Sequence, residues 1–194
     1  MPSPALHAAG SRVAILDLDQ QASSAAAAQI GCAGFAADVR DRTAVTAAWQ
    51  DIGTELGVPT MLVNSAGIGG WGSALDYPEQ LWRYVIDINL TGTFKLLHDR
   101  CPRHGGAEGG GHRQRGLAES GVRVNAVAPS AFETPLMIRN RQSRPEVYEL
   151  LRQRTPAKRF GELPEIVGPI IFLLSRAASM VTGHVLAVDG HLAA

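Results

Sequence analysis

Three polar residues of this 194-residue chain follow short apolar runs, at the points where strands of a parallel sheet end and bind ligands. Asp17 follows RVAIL, Asp38 follows GFAA, and Asn64 follows TMLV. A carboxylate at the end of the first strand can accept both hydroxyl groups of a ribose and repels a phosphate carried by that ribose. The pattern therefore indicates an edge that binds a ribose-containing ligand.

Strands and helices must alternate to bring these residues to one edge. The apolar runs predict five short strands, at residues 12–18, 34–39, 60–64, 122–129 and 184–190. Helices are predicted at residues 20–30, 42–56, 78–98, 117–120, 144–154 and 162–175. The evidence is alanine content, helical spacing of apolar residues, and flanking glycine and proline. Residues 101–116 have no apolar run and predict a loop. The alternation predicts an α/β fold, a doubly wound parallel sheet with helices on both faces.

Composition narrows the class of protein. The chain has 18 basic and 18 acidic residues, whereas a nucleic-acid backbone attracts a basic surplus. Its only cysteines, Cys32 and Cys101, form no disulfide framework, and the first ten residues show no secretory signal. The longest apolar run near the C-terminus, at residues 169–174, is too short to span a bilayer. We expect a cytoplasmic protein with neither a nucleic-acid nor a membrane partner.

Four segments in order resemble the short-chain dehydrogenase/reductase family. They are LVNSAG at 62–67, INLTGTF at 88–94, GVRVNAVAPSAFETPL at 121–136 and TGHVLAVDGH at 182–191. The resemblance implies a single Rossmann-like domain over residues 1–194. It also implies an oxidoreductase that transfers a hydride between a nicotinamide cofactor and a small alcohol or carbonyl substrate, in a possible homo-oligomer.

Asp17 decides the expected cofactor. Through the resemblance its carboxylate implies NAD rather than NADP, because it would bind the ribose hydroxyls and repel a 2′-phosphate. The alternative is an acid at a strand end that only contacts water. Asp19 is the nearest competitor, and we expect it to begin the following helix.

Asp38 and Val39 resemble the Asp-Val pair that lies beside the adenine ring in the family. The carboxylate would accept from the adenine amino group, and the valine would pack on the ring. The alternative is that Asp38 caps a helix, as Asp41 is placed to do.

Asn64, Ala66 and Gly67 fit a backbone that passes close to the cofactor, since a large side chain would collide with the ribose. The alternative is an ordinary tight turn. The resemblance also assigns Thr134, of the Thr-Pro pair in the third segment, to cofactor binding.

Asn89 corresponds to the asparagine that, in the family, holds a water in the proton relay to a catalytic lysine. Its spacing from Trp82 and Ile86 places it on the apolar stripe of its helix and predicts a buried amide. A purely structural amide is the alternative, and the absence of the lysine favours it.

The chemistry of the family uses a Tyr-x-x-x-Lys pair and a serine, and the chain lacks the pair. The residues four positions after Tyr77, Tyr84 and Tyr148 are Leu81, Ile88 and Arg152. The strand and helix that carry these catalytic groups are expected between residues 98 and 121, where the sequence is too short and too polar. The first strand and its phosphate-binding glycine loop are also not found before Asp17. We therefore expect an incomplete sheet and impaired or absent catalysis, whether from a truncation, an internal deletion or a sequence error.

Three rival functions remain to be compared. A relic of the family could bind the cofactor or form oligomers without catalysis. A metal site could form from the ligand types in one short segment, which are His98, Cys101, His104 and His112. Their spacing matches no zinc pattern, which favours a chance cluster and no metal. Nucleic-acid binding through Arg100, Arg103, Arg113 and Arg115 is disfavoured by the neutral charge and the lack of interleaved aromatic residues.

Overall fold

The computed structural model describes residues 2–69, 72–100 and 116–192. The chain divides into two compact units, which we call the N-terminal unit, Leu6–Gly111, and the C-terminal unit, His112–Ala194 with Met1–Ala5. The boundary between the two units falls within helix α1, Ser3–Ala8, after Ala5. That one domain covers the whole chain therefore stays a prediction.

The N-terminal unit alternates strands and helices. Its elements are β1 (Ala14–Asp17), α2 (Gln20–Ala28), β2 (Ala33–Ala36), α3 (Arg42–Leu56), α4 (Glu79–Ile86), a π-helical turn (Asp87–Gly92) and α5 (Thr93–Arg100). Strands β1 and β2 are parallel, with Asp17 opposite Ala36. Asp19 and Asp41 cap α2 and α3 through their carboxylates, as their positions before the helices predict.

The C-terminal unit contains the second pair of parallel strands. Its elements are α6 (Gly116–Glu119), β3 (Ala126–Pro129), α7 (Pro135–Ser143), α8 (Pro145–Arg154), α9 (Leu163–Leu174), a 3₁₀ turn (Arg176–Ala178) and β4 (Val185–Val188). Strand β3 pairs with β4 in parallel register. The predicted α/β class with parallel strands is confirmed in both units.

The strand predicted at residues 60–64 is absent, and this prediction was wrong. A strand requires a hydrogen-bonded neighbour. Yet no backbone group of residues 60–64 bonds another backbone group in the described part of the chain. Within that part each sheet has two strands, β1–β2 and β3–β4. The prediction of an incomplete sheet is therefore confirmed.

The single helix predicted at residues 78–98 is divided by the π-helical turn between α4 and α5. One turn with the wider π spacing shifts the following residues around the helix axis. Trp82 and Asn89, which ordinary α spacing places on one apolar stripe, are both exposed. Helix α7 was not predicted at all, because its sequence, PLMIRNRQS, has no clear apolar face.

The core of the N-terminal unit lies between its strands, α3 and α5. It consists of Ala37, Val45, Ala48 and Leu96, against which Leu16 and Leu62 pack as partly buried residues. Leu62 therefore contacts the core although its backbone joins no sheet.

Polar residues of the GVRVN segment stabilise the C-terminal unit through hydrogen bonds to α9 and the segment that follows it. The Arg123 guanidinium donates to the carbonyl oxygens of Leu173 at 2.7 Å and Leu174 at 3.2 Å, at the end of α9. A cation at this end of a helix satisfies free carbonyls and complements the helix dipole. Asn125 donates to the Val181 carbonyl at 2.9 Å. These two residues are therefore structural.

Gly34 allows β2 to pack directly on α2. A Cβ at this position would lie 2.7 Å from the carbonyl carbon and oxygen of Ser23. We expect Gly34→Ala to lower the free energy of unfolding by about 1–3 kcal/mol, because backbone cannot move aside as a side chain can. Gly53→Ala in α3, where a Cβ meets nothing within 4 Å, should raise it by about 1 kcal/mol. Urea denaturation followed by circular dichroism measures both, and equal effects of the two substitutions would contradict this packing.

Candidate functional site

Asp17 and Asp38 lie at the carboxyl edge of β1 and β2. The Ala37 amide donates to the Asp17 carbonyl oxygen at 2.9 Å, which brings the two chain segments together just beyond the strands. Asp17 therefore lies close to Asp38, as the strand alternation predicts.

Asp17 and Asp19 have different partners. One carboxylate oxygen of Asp17, an exposed residue, accepts from the Asp19 amide at 3.2 Å. The second oxygen accepts no hydrogen bond from the described residues. Asp19 instead accepts from the Gln21 amide at 2.8 Å and caps α2. Asp17 is thus the acid that remains available to a ligand.

Asp38 binds Arg40 with both carboxylate oxygens. The Arg40 Nη2 donates to Oδ2 at 2.6 Å, and Nε donates at 3.0 Å to each oxygen. The hydrogen bonds from the Arg40 side chain hold the pKa of Asp38 below its usual range. The helix-capping alternative was wrong, since Asp41 caps α3.

Val39 packs inward on the π-helical turn. Its Cγ2 lies 2.7 Å from the position that a Cβ on Gly92 would occupy, and the side chain also packs against the core cluster. Glycine at position 92 is what allows this close approach. Contact between Val39 and an adenine ring stays a prediction.

Asn64 belongs to a hydrogen-bonded chain with Thr93 and Asn89. Its Nδ2 donates to the Thr93 hydroxyl at 2.6 Å, and that hydroxyl donates to the Asn89 carbonyl at 2.6 Å. Its Oδ1 accepts from the Ala66 amide at 3.2 Å. Thr93 is a residue that the sequence reasoning missed, although it lies in the INLTGTF segment.

The Asn89 side chain pairs with both backbone polar groups of one residue, Ile68. Its Oδ1 accepts from the Ile68 amide and its Nδ2 donates to the Ile68 carbonyl, both at 2.9 Å. A Cβ on Gly67 would lie 3.3 Å from Asn89 Oδ1, so this clamp needs a small neighbour. The prediction of a buried amide was wrong, since Asn89 is exposed in the π-helical turn. The amide holds the segment after Gly67 in place, and a part in catalysis stays a prediction.

Thr134 lies in the C-terminal unit, and the other predicted site residues lie in the N-terminal unit. Its hydroxyl accepts from the Met137 amide at 3.1 Å, and its carbonyl accepts from the Ile138 amide at 2.9 Å. Thr134 therefore caps the start of α7, and a contact with a cofactor stays a prediction.

Tyr148 and Arg152 do not form a substitute for the missing tyrosine–lysine pair. The Tyr148 hydroxyl donates to Glu133 Oε1 at 2.5 Å, and this hydrogen bond raises its pKa. A catalytic tyrosine needs the opposite shift, toward the working pH. Arg152 is bound by Glu149 at 2.6 Å and 2.8 Å, which lowers the pKa of Glu149 to about 2.

The two lysines of the chain bind backbone oxygens. Lys95 donates to the Arg40 carbonyl, and Lys158 donates to the Gln153 carbonyl at 2.7 Å. Neither makes a hydrogen bond to a tyrosine of the described residues. The tyrosine–lysine pair that the chemistry of the family uses is therefore not formed among the described residues.

A small cavity of about 80 Å³ lies in the C-terminal unit beside β4. Its lining includes Ser130, Phe132, Arg159, Glu165 and Asp189. Ligand sites usually exceed about 300 Å³. The Arg159 guanidinium is also paired with Glu165 at 2.6 Å on both sides. The cavity is thus too small and its charge too well paired for a substrate site.

The metal alternative gains no support where the chain is described. Cys101, His104 and His112 lie outside the described residues. His98 lies 2.6 Å from the Arg42 guanidinium through Nδ1, and residues 2–69, 72–100 and 116–192 contain no cluster of metal-binding side chains. Arg103, Arg113 and Arg115 likewise lie outside these ranges. Among the described residues, no helix is both long and apolar enough to span a membrane.

Comparison with known proteins gives a family match over nearly the whole chain. The model of a family described as enoyl-(acyl carrier protein) reductase matches residues 3–110 and 115–192. Galactitol 2-dehydrogenase (L-tagatose-forming) of Cereibacter sphaeroides is 35% identical over 222 aligned positions, covering 96% of this chain and 87% of the relative. The inactive 2-(S)-hydroxypropyl-CoM dehydrogenase 2 of Xanthobacter autotrophicus is 33% identical, covering 96% of each.

A solved structure agrees in fold. A short-chain dehydrogenase/reductase of Brucella melitensis, described as a glucose/ribitol dehydrogenase, superposes with a TM-score of 0.81 at 26% identity, covering 99% of this chain and 90% of that one. The alignments with the two curated relatives span 222 positions, more than the 194 residues of this chain. Both relatives therefore contain residues that have no counterpart here.

Proposed function

Because the chain belongs to the short-chain dehydrogenase/reductase family of oxidoreductases, we propose that it binds the adenosine half of NAD without catalysing hydride transfer. Its ancestors would have interconverted an alcohol and a carbonyl compound, with NAD as the hydride acceptor. The relatives named for polyol and hydroxyalkyl substrates support a small alcohol as the ancestral substrate.

The observation that carries this proposal is the available carboxylate of Asp17. It lies at the end of β1, is exposed, and has one oxygen without a hydrogen bond among the described residues. Two hydroxyl groups of a ribose fit a carboxylate in this position, whereas a 2′-phosphate would meet its negative charge. The backbone of Ala66 and Gly67, exposed and free of large side chains, is the expected path of the ligand.

The lack of catalysis rests on the sequence and on the partners of its tyrosines. No tyrosine stands four residues before either lysine. Tyr148, whose hydroxyl has a raised pKa, is held by Glu133. The residues of the relatives that lack a counterpart here support an internal deletion as the origin.

Asp17→Asn tests the ribose contact. The substitution removes the charge and replaces one acceptor oxygen by a donor. Because hydrogen bonds to charged groups contribute about 1.5–3 kcal/mol, we expect NADH binding to weaken about tenfold or more. The preference for NADH over NADPH should be lost as well. Fluorescence titration of the nicotinamide measures both constants.

Asp51→Asn is the matched control, because Asp51 is an exposed acid of α3 in the same unit. It should leave both dissociation constants unchanged. If Asp17→Asn and Asp51→Asn have the same effect, the ribose does not bind at Asp17.

A further inference from the structure

The turn at residues 64–68 is not held in place by a sheet. No backbone group of residues 60–69 bonds another backbone group in the described part of the chain. In a paired strand, the ladder of backbone hydrogen bonds would fix where the turn after it lies. Here the hydrogen bonds that join residues 60–69 to the rest of the described chain run through side chains instead, at the two ends of the turn.

Thr93 determines which way the Asn64 amide points, at the first end of the turn. The Thr93 hydroxyl donates its hydrogen to the Asn89 carbonyl at 2.6 Å, so toward Asn64 its oxygen acts as an acceptor. Asn64 Nδ2 donates to that oxygen at 2.6 Å, which turns Oδ1 toward the Ala66 amide, 3.2 Å away. If the Asn64 amide were flipped, two donors would face each other at Ala66. The geometry of this end therefore depends on one hydroxyl group.

Asn89 holds the second end separately. Its Oδ1 accepts from the Ile68 amide and its Nδ2 donates to the Ile68 carbonyl, both at 2.9 Å. Between the two ends, Ala66 and Gly67 are exposed. A turn that is already fixed at both ends loses less conformational freedom when a ligand binds, and therefore binds it more tightly.

We propose that Thr93 is a positioning residue for the dinucleotide: through Asn64 it replaces the missing strand pairing and fixes the turn at Ala66 and Gly67 before the ligand binds. This inference rests on the proposed function, because it concerns the same ligand. Thr93 acts through Asn64 and not by contact with the ligand. Asp17 distinguishes NADH from NADPH, whereas Thr93 affects both equally.

Thr93→Val removes the hydroxyl and keeps the branched shape of the side chain. Exchange of amide hydrogens with water, followed by NMR on the isotope-labelled chain, measures the turn without any ligand. The Ala66 amide should lose its protection, whereas the Ile68 amide should keep it, because the Asn89 side chain still holds that end. Asn89→Leu should have the converse effect. A general loosening of the unit would expose both amides together.

Binding of NADH and of NADPH, followed by nicotinamide fluorescence, should weaken about two- to tenfold in Thr93→Val. The factor should be the same for both, since the charge of Asp17 is unchanged. Thr93→Ser retains the hydroxyl and should match the wild-type chain in binding and in exchange.

Thr54→Val is the matched control. The Thr54 hydroxyl, exposed in α3, donates to the carbonyl four residues earlier at 2.9 Å, as that of Thr93 does, and nothing among the described residues donates to it. This variant should leave both dissociation constants and both exchange rates unchanged. Circular dichroism verifies that each variant is folded.

The inference is overturned if Thr93→Val leaves the Ala66 amide protected, if the Ala66 and Ile68 amides lose protection together, or if Thr93→Ser behaves like Thr93→Val. It is also overturned if Thr93→Val binds NADH as tightly as the wild-type chain does. In each of these cases saturable binding to the wild-type chain would still support the proposed function. If the wild-type chain binds no NADH, the proposed function fails, and the exchange rates still decide whether Thr93 fixes the turn.

Discussion

Purified chain supplied with NAD and a polyol, or with NADH and the corresponding ketone, is expected to show no change in nicotinamide absorbance above the background without protein. The sequence has no Tyr-x-x-x-Lys pair, and Tyr148 donates to Glu133, which raises the pKa of its hydroxyl. Loss of general acid–base catalysis alone lowers a rate by about 10²–10⁴-fold. Loss of the groups that orient the substrate lowers it further.

The galactitol 2-dehydrogenase relative provides the positive control under the same conditions. Tyr148→Phe is the matched variant of this chain, and its signal should equal that of the wild type. Turnover that disappears on changing Asp17 or Asn89 would show that residues of this chain catalyse the reaction after all.

Leu96→Ala is expected to remove a large part of the free energy of unfolding of this chain. Leu96 is 4% exposed in the core cluster that joins α3 and α5. Replacing a buried leucine by alanine costs about 2–5 kcal/mol, and small domains are stable by about 5–15 kcal/mol in total. A chain whose described sheets have only two strands each is expected near the lower limit.

Leu90→Ala is the matched control, since Leu90 is 64% exposed in the adjoining π-helical turn. It should change the free energy of unfolding by less than about 0.5 kcal/mol. Urea denaturation followed by circular dichroism gives both values. Equal destabilisation by the two substitutions would mean that the core is not packed around Leu96.

Strands were predictable from the sequence only where both partners are present in the chain. AILD and AGFA pair with each other, as do AVAP and VLAV. TMLVN is as apolar as these segments, and its Leu62 reaches the core, but no strand among the described residues bonds its backbone. In the order of a doubly wound sheet, the neighbours of this segment are the two strands that the sequence analysis did not find. Local pattern predicts a strand, whereas pairing decides whether it forms.

The site was predictable in its position but not in its internal contacts. Alternation of strands and helices brings Asp17 and Asp38 to one edge, and the positions of Asp19 and Asp41 before helices identify them as caps. The sequence gives no sign that Arg40 binds Asp38, because spacing alone does not define side-chain direction. The π-helical turn that contains Asn89 is equally hidden from a pattern based on ordinary helical spacing.

The central claim is that the chain retains a working contact for the ribose of NAD after losing its catalytic groups. Its most direct test is a titration of the purified wild-type chain with NADH, followed by nicotinamide fluorescence, with circular dichroism on the same sample. We expect saturable binding to the folded chain, tighter than that of NADPH, with the nicotinamide left reduced. A folded chain that shows no saturable binding, or that binds NADPH more tightly, would contradict the assignment of Asp17 as the ribose-binding acid.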